Sequence, residues 1–277
     1  MNSSKAFPES CVLKVERNDD FTATVLLADP RKGNPFGMSF WDELPALFAA
    51  MDADPEVRAV VIGSAQSNFT FGLDLLGMAP QFATALNGMS GRAEIEALGR
   101  KLQAAFDAVA QCRKPSVVAI SGWCIGAGVE LISACDVRVC AADAQFSLRE
   151  VRMGMVPDLG GIQRLPHLIG EGNARLLALT GMDIGAQRAL AIGLVSEVQS
   201  DAAGALASAR KIAASMAANP PRVVSAIKQV MNARMQASVQ AGLQSALLQN
   251  CALMQSQDFQ EAISAFVGKR QPLFNGN

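Results

Sequence analysis

Apolar positions follow two alternating rhythms over the first two hundred residues. "CVLKVER" (11–17) and "FTATVLLA" (21–28) are β-type runs separated by "NDD", which predicts an N-terminal hairpin. "VRAVVIGS" (57–64) and "PSVVAIS" (115–121) are short, continuously apolar and rich in Val and Ile, as strands buried on both faces are. Amphipathic stretches lie between them. "MSFWDELPALFAAMD" (38–52) predicts a helix opening on a capping box at Ser39-x-x-Asp42. "EIEALGRKLQAAFDAVAQC" (94–112) predicts a second helix, ended by Lys114-Pro115. "VELISAC" (129–135) continues as helix after the glycine-punctuated "GWCIGAG". Strand alternating with helix predicts an α/β fold with a parallel or mixed sheet.

After "GLVSEV" (193–198) the strand pattern stops, and residues from about 201 onward read as helical. Pro220-Pro221 after Asn219 marks one helix start, and Asp258-x-x-Glu261 is another capping box. The chain therefore divides into an α/β core, 1–200, and a C-terminal helical region, 201–277. The second part has no glycine loop or carboxylate pair of its own, and is expected to pack, to oligomerise or to lid a site. The intervening "MAPQFATALNGMSGRAE" (78–94) is long enough to be a mobile loop beside a ligand.

Composition narrows the function classes. The 277 residues are 50% hydrophobic, enough for a sizeable core, and the formal charge is -1 with no Lys/Arg-rich run. That excludes the basic footprint of a nucleic-acid or anionic-lipid binder and favours a small or mixed-polarity ligand. The six cysteines form no C-x-x-C pair and there is one histidine, so no zinc site is expected, and the thiols read as buried and reduced. "MNSSKAFPES" lacks the apolar centre of a signal peptide, and the apolar run Pro115 to Val129 is too short to span a bilayer. A soluble, cytoplasmic protein without a membrane partner is expected.

The first chemical anomaly is "CIGAGVELISACD" (124–136), where Glu130 sits among small and apolar residues. A lone buried carboxylate is costly or turns neutral, so it needs either a task or a core partner such as Arg138 or Arg164. Gly126 and Gly128 would begin a dinucleotide loop, but Leu131 stands at the third glycine position, which argues against nicotinamide or flavin binding. Small residues opening a helix can instead bring backbone N–H groups close to an anionic oxygen, as an oxyanion hole does. Tight packing of strand on helix would explain the same residues. "FTFGLDLLGM" (69–78) follows the other buried strand in the same way, so the two loops could each give one N–H to one oxygen.

Further on, "FSLREVRMGMVPDLGG" carries Glu150 and Asp158. Acid–base work on carbon needs one group that takes a proton and one that gives it, in a dry site that raises carboxyl pKa values. The alternatives are a surface ion-pair cluster for Glu150 with Arg149 and Arg152, and a turn before Gly160 and Gly161 for Asp158. His167 reads as a surface or packing residue, and Met78, Met153 and Met155 as the lining of an adaptable apolar slot.

On "FTFGLDL", on "SGWCIGAGVELISACDVRVCAADAQFSLREVRMGMVPDLGGIQRLPHLIG" and on the helical C-terminal part, the chain resembles the crotonase, or enoyl-CoA hydratase/isomerase, superfamily along nearly its whole length. The resemblance implies a crotonase-like spiral of ββα units with a C-terminal helical trimerisation region, assembled as a trimer or a pair of trimers. It implies an acyl-CoA thioester substrate, no cofactor beyond the CoA of that substrate, and no metal. Two backbone N–H groups hold an enolate oxygen in such proteins, and by position they fall on Leu73 and Ala127. Gly72, Asp74 and Gly126 flank them as substrate-binding positions. The CoA nucleotide is expected at Arg31 or Lys32 in "DPRKGNPFG", where a solvated charge pair is the alternative.

The two hydratase glutamates fall on Glu130 and Glu150. The Δ3,5-Δ2,4-dienoyl-CoA isomerases carry an Asp, a Glu and a further Asp, and the last two match Glu150 and Asp158. "GLDLLGM", "GVELISACDVR", "REVRMG" and "QRLP" are also similar to that subgroup. Ala127 stands where the family has glycine, which is tolerable if its backbone does not need positive φ. Dienoyl-CoA isomerisation in β-oxidation is the expected activity, and hydration of 2-enoyl-CoA is the alternative. A non-catalytic acyl-CoA-binding protein of the same fold is the rival of another class.

Overall fold

The N-terminal hairpin forms: β1 (Leu13–Arg17) and β2 (Thr22–Leu27) pair antiparallel, with Leu13 opposite Leu27. The computed structural model describes residues 7–83 and 88–277. The apolar runs become β3 (Ala59–Ser64), β4 (Ser116–Ile120) and β6 (Val137–Ala141), followed by a short β9 (Glu197–Gln199). They form one sheet in the order β1-β2-β3-β4-β6-β9, parallel throughout after the hairpin.

A second, smaller sheet holds β5 (Trp123–Ile125), β7 (Gln145–Ser147) and β8 (Asp183–Gly185) in the order β5-β7-β8. Two single bridges, Thr70 to Cys124 and Phe36 to Leu73, carry this sheet's pairing back to earlier turns of the chain. Each turn thus lays one strand in the large sheet, one short strand or bridge in the small sheet, and then a helix. The helices in question are α1 (Met38–Ala53), α2 (Ala79–Ala83) with α3 (Gly88–Gln111), α4 (Ala127–Ala134) and α5 (Gly161–Ile169). This is the spiral of ββα units that the resemblance implied. After α6 (Glu171–Thr180) and α7 (Ala186–Ala191) the chain ends in α8 (Ala202–Ala217), α9 (Pro221–Leu253) and α10 (Gln257–Val267). Among the described residues no helix is long and apolar enough to cross a membrane.

The central strands β3 and β4 are buried on both faces because nearly every position in them is apolar or small. Val60, Ile62, Val118, Ile120 and Cys140 enter the main core. Their neighbours Ala59, Val61, Val117, Ala119, Val139 and Ala141 meet α8 on the other face, where Ala205, Ala209, Ala213 and Ala217 recur every fourth residue. Alanine at that spacing gives a helix one smooth side, which lets it lie close to the sheet. In the main core Phe36 stacks on Phe40 at 3.8 Å, and the Trp41 indole donates to the Phe36 carbonyl at 3.0 Å. That cluster fixes the backbone of Phe36, which in turn positions Leu73.

Three local expectations are corrected. Ser39 does not cap α1: the helix starts after Gly37, whose carbonyl accepts from Trp41 N at 3.3 Å, so Ser39 already lies inside it. Helix α10 is capped by Ser256, whose hydroxyl accepts from Phe259 N at 3.1 Å, while Asp258 accepts from the backbone of Asn275 and Gly276. The stretch 78–94 is helical in α2 and in the first turns of α3, and its residues 84–87 lie outside the described ones.

Candidate active site

The carboxyl ends of the strands meet around one cavity of about 360 Å³. Its first wall is made by two backbone segments. Phe36 N donates to Gly72 O at 2.8 Å and Asp74 N donates to Phe36 O at 3.1 Å. In such a parallel bridge the intervening residue, Leu73, turns its own N–H the other way, and Leu73 lines the cavity. Ala127 opens α4, so its N–H has no helical acceptor, and it lines the same cavity. Among the described residues neither N–H has a protein partner. The α4 dipole adds positive potential at Ala127.

The condition on Ala127 is met, because the positive φ of this turn, +55°, falls on Gly126 and Ala127 is helical. A methyl group on Gly126 would also lie 3.0 Å from Glu150 Oε1. Gly128 serves packing instead, since a methyl group there would reach Thr70 Cγ2 at 2.3 Å. Tight packing is therefore realised at Gly128, while the positive φ of Gly126 leaves Ala127 free to be helical.

Glu130 is buried on the inner side of α4, and its Oε2 accepts from Leu159 N at 2.8 Å and Gly161 N at 2.7 Å. The alternative core pairs are not made. Arg138 donates to Leu194 O and Cys135 O at 2.8 and 2.7 Å, and Arg164 donates to Asp107 at 2.6 Å. Burial, then the nearby charges of Glu150 and Asp158, push the Glu130 carboxyl well above its usual range, and the two backbone donors offset part of this.

Glu150 opens a 3-10 turn, Glu150–Met153, that separates it from its arginine neighbours. Arg149 and Arg152 reach outward to Asp183, at 2.9 and 3.9 Å, so the surface cluster forms without Glu150. The Glu150 carboxylate turns inward, its Oε2 buried with no hydrogen-bond partner. Burial lifts its pKa to about 7. Asp158 lines the cavity from the following loop, and burial raises it to about 6 against the opposing pull of the Asn250 side chain. The remaining lining is mostly apolar, including Leu98, Leu102, Met153 and Met155.

The cavity thus brings together Leu73, Gly126, Ala127, Glu130, Glu150 and Asp158. Gly72 and Asp74 stand behind that wall, where Asp74 pairs with Arg31 and accepts from Gly77 N at 2.8 Å. Arg31 is also held by Asp29 at 2.7 Å, and Lys32 is exposed. Neither cation lines the cavity, although their loop borders its mouth, because the Phe71 ring that lines it lies over Gly33. Met78 is fully buried in the main core and does not line the slot with Met153 and Met155. His167 is exposed.

Sequence reasoning missed Asn250 of α9, which is buried at the cavity wall. Its carboxamide accepts from Val156 N and donates to Val156 O, both at 2.8 Å, fixing the segment that ends in Asp158. The signal was present: in "LLQNCALM" a short amide interrupts an apolar helix, much as Glu130 does in α4. Phe266 of α10, Arg149 and Arg152 also line the cavity.

Residues 19–277 match the family model described as enoyl-CoA hydratase/isomerase. The chain is 36% identical over 268 residues to the mitochondrial Delta(3,5)-Delta(2,4)-dienoyl-CoA isomerase of Dictyostelium discoideum, covering 96% of this chain and 92% of that one. It is 36% identical to the peroxisomal Delta(3,5)-Delta(2,4)-dienoyl-CoA isomerase of Arabidopsis thaliana, covering 94% and 95%. An enoyl-CoA hydratase structure from Mycobacterium avium subsp. paratuberculosis superposes with a TM-score of 0.83 at 25% identity, covering 96% of this chain and 100% of that one. These relatives overturn one expectation: they are mitochondrial and peroxisomal proteins by name, so the cytoplasmic location inferred from the N-terminal sequence does not stand.

Proposed function

The chain belongs to the enoyl-CoA hydratase/isomerase family, and we propose that it is the enzyme that moves the double bonds of a 3,5-dienoyl-CoA thioester to the 2,4 positions in fatty-acid oxidation. The thioester oxygen accepts from the Leu73 and Ala127 N–H groups. Glu150 removes a proton from the second carbon, and the electron pair is shared between that oxygen, as an enolate, and the conjugated diene as far as the sixth carbon. Asp158 then delivers a proton to the sixth carbon as the charge returns, leaving Glu150 protonated and Asp158 ionised. Both groups exchange with solvent before the next turnover.

The observation that carries this reading is the third carboxyl group, Asp158, in the same apolar cavity as Glu130 and Glu150. With Glu150 raised to about 7 and Asp158 to about 6, both carboxyl groups change charge near neutral pH, and the reacting form is the one with Glu150 ionised and the proton on Asp158. Glu130, held at one oxygen by two backbone donors, assists Glu150 or orients water. No cofactor takes part, since CoA belongs to the substrate.

A homo-oligomer, either a trimer or a pair of trimers, belongs to the same proposal, with the helices from about 201 onward as its assembly and lid region. Val223, Ile227, Val230 and Met231 form an exposed apolar stripe on α9 in support of it.

The test assays one preparation on 3,5-dienoyl-CoA and on 2-enoyl-CoA. Isomerisation is expected in the wild type and should fall by about 10²- to 10⁴-fold in Asp158→Asn. Rapid hydration that survives Asp158→Asn and collapses in Glu130→Gln would establish a hydratase instead. CoA-ester binding without turnover would leave only the non-catalytic binder.

A further inference from the structure

The loop that carries Asp158 is not held by its own backbone. Among the described residues, no hydrogen bond joins the backbone of Val156, Pro157, Asp158 or Leu159 to another backbone group, and no helix or strand includes them. Side chains supply the restraint instead. Asn250 of α9 takes both the N–H and the carbonyl of Val156, at 2.8 Å each, and Gln103 of α3 donates its Nε2 to the Asp158 carbonyl at 2.8 Å. The same nitrogen donates to Leu243 O of α9 at 3.1 Å, so one amide ties α3, α9 and the loop together. Pro157, whose ring fixes φ, stands between the two grips.

Packing alone does not ask for these residues. Gln103 and Asn250 are both buried between apolar neighbours, where apolar side chains would join α3 to α9 without a polar cost, and a buried amide is tolerated only when its groups are paired. Here the partners are Val156 and Asp158. The Asn250 amide also acts on the Asp158 carboxyl itself, opposing the rise that burial causes. The other parts of the site are placed by different means: Leu73 by Phe36, Ala127 by α4 and Glu150 by its 3-10 turn. We propose that Gln103 and Asn250 are positioning residues that clamp the loop on either side of Pro157 and hold the Asp158 carboxyl where it reaches the far end of the diene. The proposal rests on the reading of Asp158 as the distal acid. Neither amide moves a proton, but misplacing a reacting group by about 1 Å can cost about 10²-fold in rate.

The experiment is a double-mutant cycle. Gln103→Met and Asn250→Leu remove the amides at nearly unchanged volume, and each is made in the wild type and in Asp158→Asn. Turnover of 3,5-dienoyl-CoA is measured per folded molecule, and Kd is measured by calorimetry for octanoyl-CoA, a saturated thioester with no double bond to move. Each single substitution should lower kcat by about 10- to 10²-fold and leave the octanoyl-CoA Kd within about twofold. In Asp158→Asn the same substitutions should lower the residual kcat by no more than about twofold, because residues that act through one group do not contribute independently. A general loosening of the fold would instead multiply the losses. Gln103→Met, which leaves Asn250 and its bonds to Val156 in place, keeps the cycle readable where Asn250→Leu lowers the folded yield.

Equal fold-losses in the two backgrounds would overturn the clamp, as would single variants whose kcat stays within twofold of the wild type. Either result beside a wild type that isomerises 3,5-dienoyl-CoA would defeat the clamp alone. A wild type that does not isomerise it would defeat the reading of Asp158, and the clamp with it.

Discussion

On the sheet face under α8, alternate strand residues meet four alanines in a fully apolar layer. Where the turns of the spiral end, the chain instead buries Glu130, leaves Glu150 Oε2 without a partner, and puts Gly126 at φ +55°. The first region is what packing alone would choose. The second keeps carboxyl groups in an environment that disfavours their charge, and that is the property a base and an acid working near neutral pH need. Substitutions in the two regions should therefore separate stability from activity.

The largest separation is expected for Glu150→Gln. Turnover should fall by about 10²- to 10⁴-fold, the usual contribution of a positioned base. Its melting temperature should exceed that of the wild type at pH 8. Burial raises the folded-state pKa of Glu150 from 4.5 to about 7, so the unfolded chain releases this proton first, and wild-type stability falls as the pH rises through that interval. The difference in melting temperature should therefore shrink toward pH 5. A thermal shift series at both pH values checks the sign, and a variant less stable than wild type at pH 8 would contradict it.

A smaller effect is expected from a methyl group at the positive-φ turn. Gly126→Ala must adopt a conformation that costs an L-residue about 1–2 kcal/mol or more, and its Cβ would crowd Glu150 Oε1. Its kcat should drop at least tenfold. Ala127→Gly, one residue later in ordinary helical backbone, should stay within about twofold. Equal losses in the two variants would mean that the turn does not place Glu150. Least effect on chemistry is expected under α8, where Ala209→Leu should destabilise by about 1–3 kcal/mol through overpacking, measured by denaturant unfolding, with kcat per folded molecule unchanged.

The same contrast explains what could be read without a structure. Strands β3 and β4 and the long helices were legible because burial on both faces, or on one stripe, writes itself into sequence periodicity. Strands of the small sheet are three residues long, too short for any period, and Phe36 and Thr70 join it by single bridges. The caps at Ser39 and Asp258 failed because the S-x-x-D and D-x-x-E patterns do not say which residue is the last extended one.

In the site, Glu130 was visible as a carboxylate in an apolar run, and its structural partners proved to be backbone N–H groups in place of the two arginines proposed as alternatives. Glu150 is told apart from its arginine neighbours only in the fold, where their guanidinium groups reach Asp183 while its Oε2 is buried without a partner. Asn250 carries no motif that marks it in the sequence of α9, and only the fold shows its buried amide fixing the Asp158 loop.

That two different carboxyl groups act at the two ends of the diene can be tested directly by running the reaction in D₂O and locating the label by proton NMR. Asp158 equilibrates with solvent, so 3,5-dienoyl-CoA should give 2,4-dienoyl-CoA carrying deuterium at the sixth carbon, and Asp158→Asn should slow that incorporation together with turnover. Product with hydrogen retained at the sixth carbon, as transfer of the same proton by one shared group would give, would contradict the two-carboxylate mechanism.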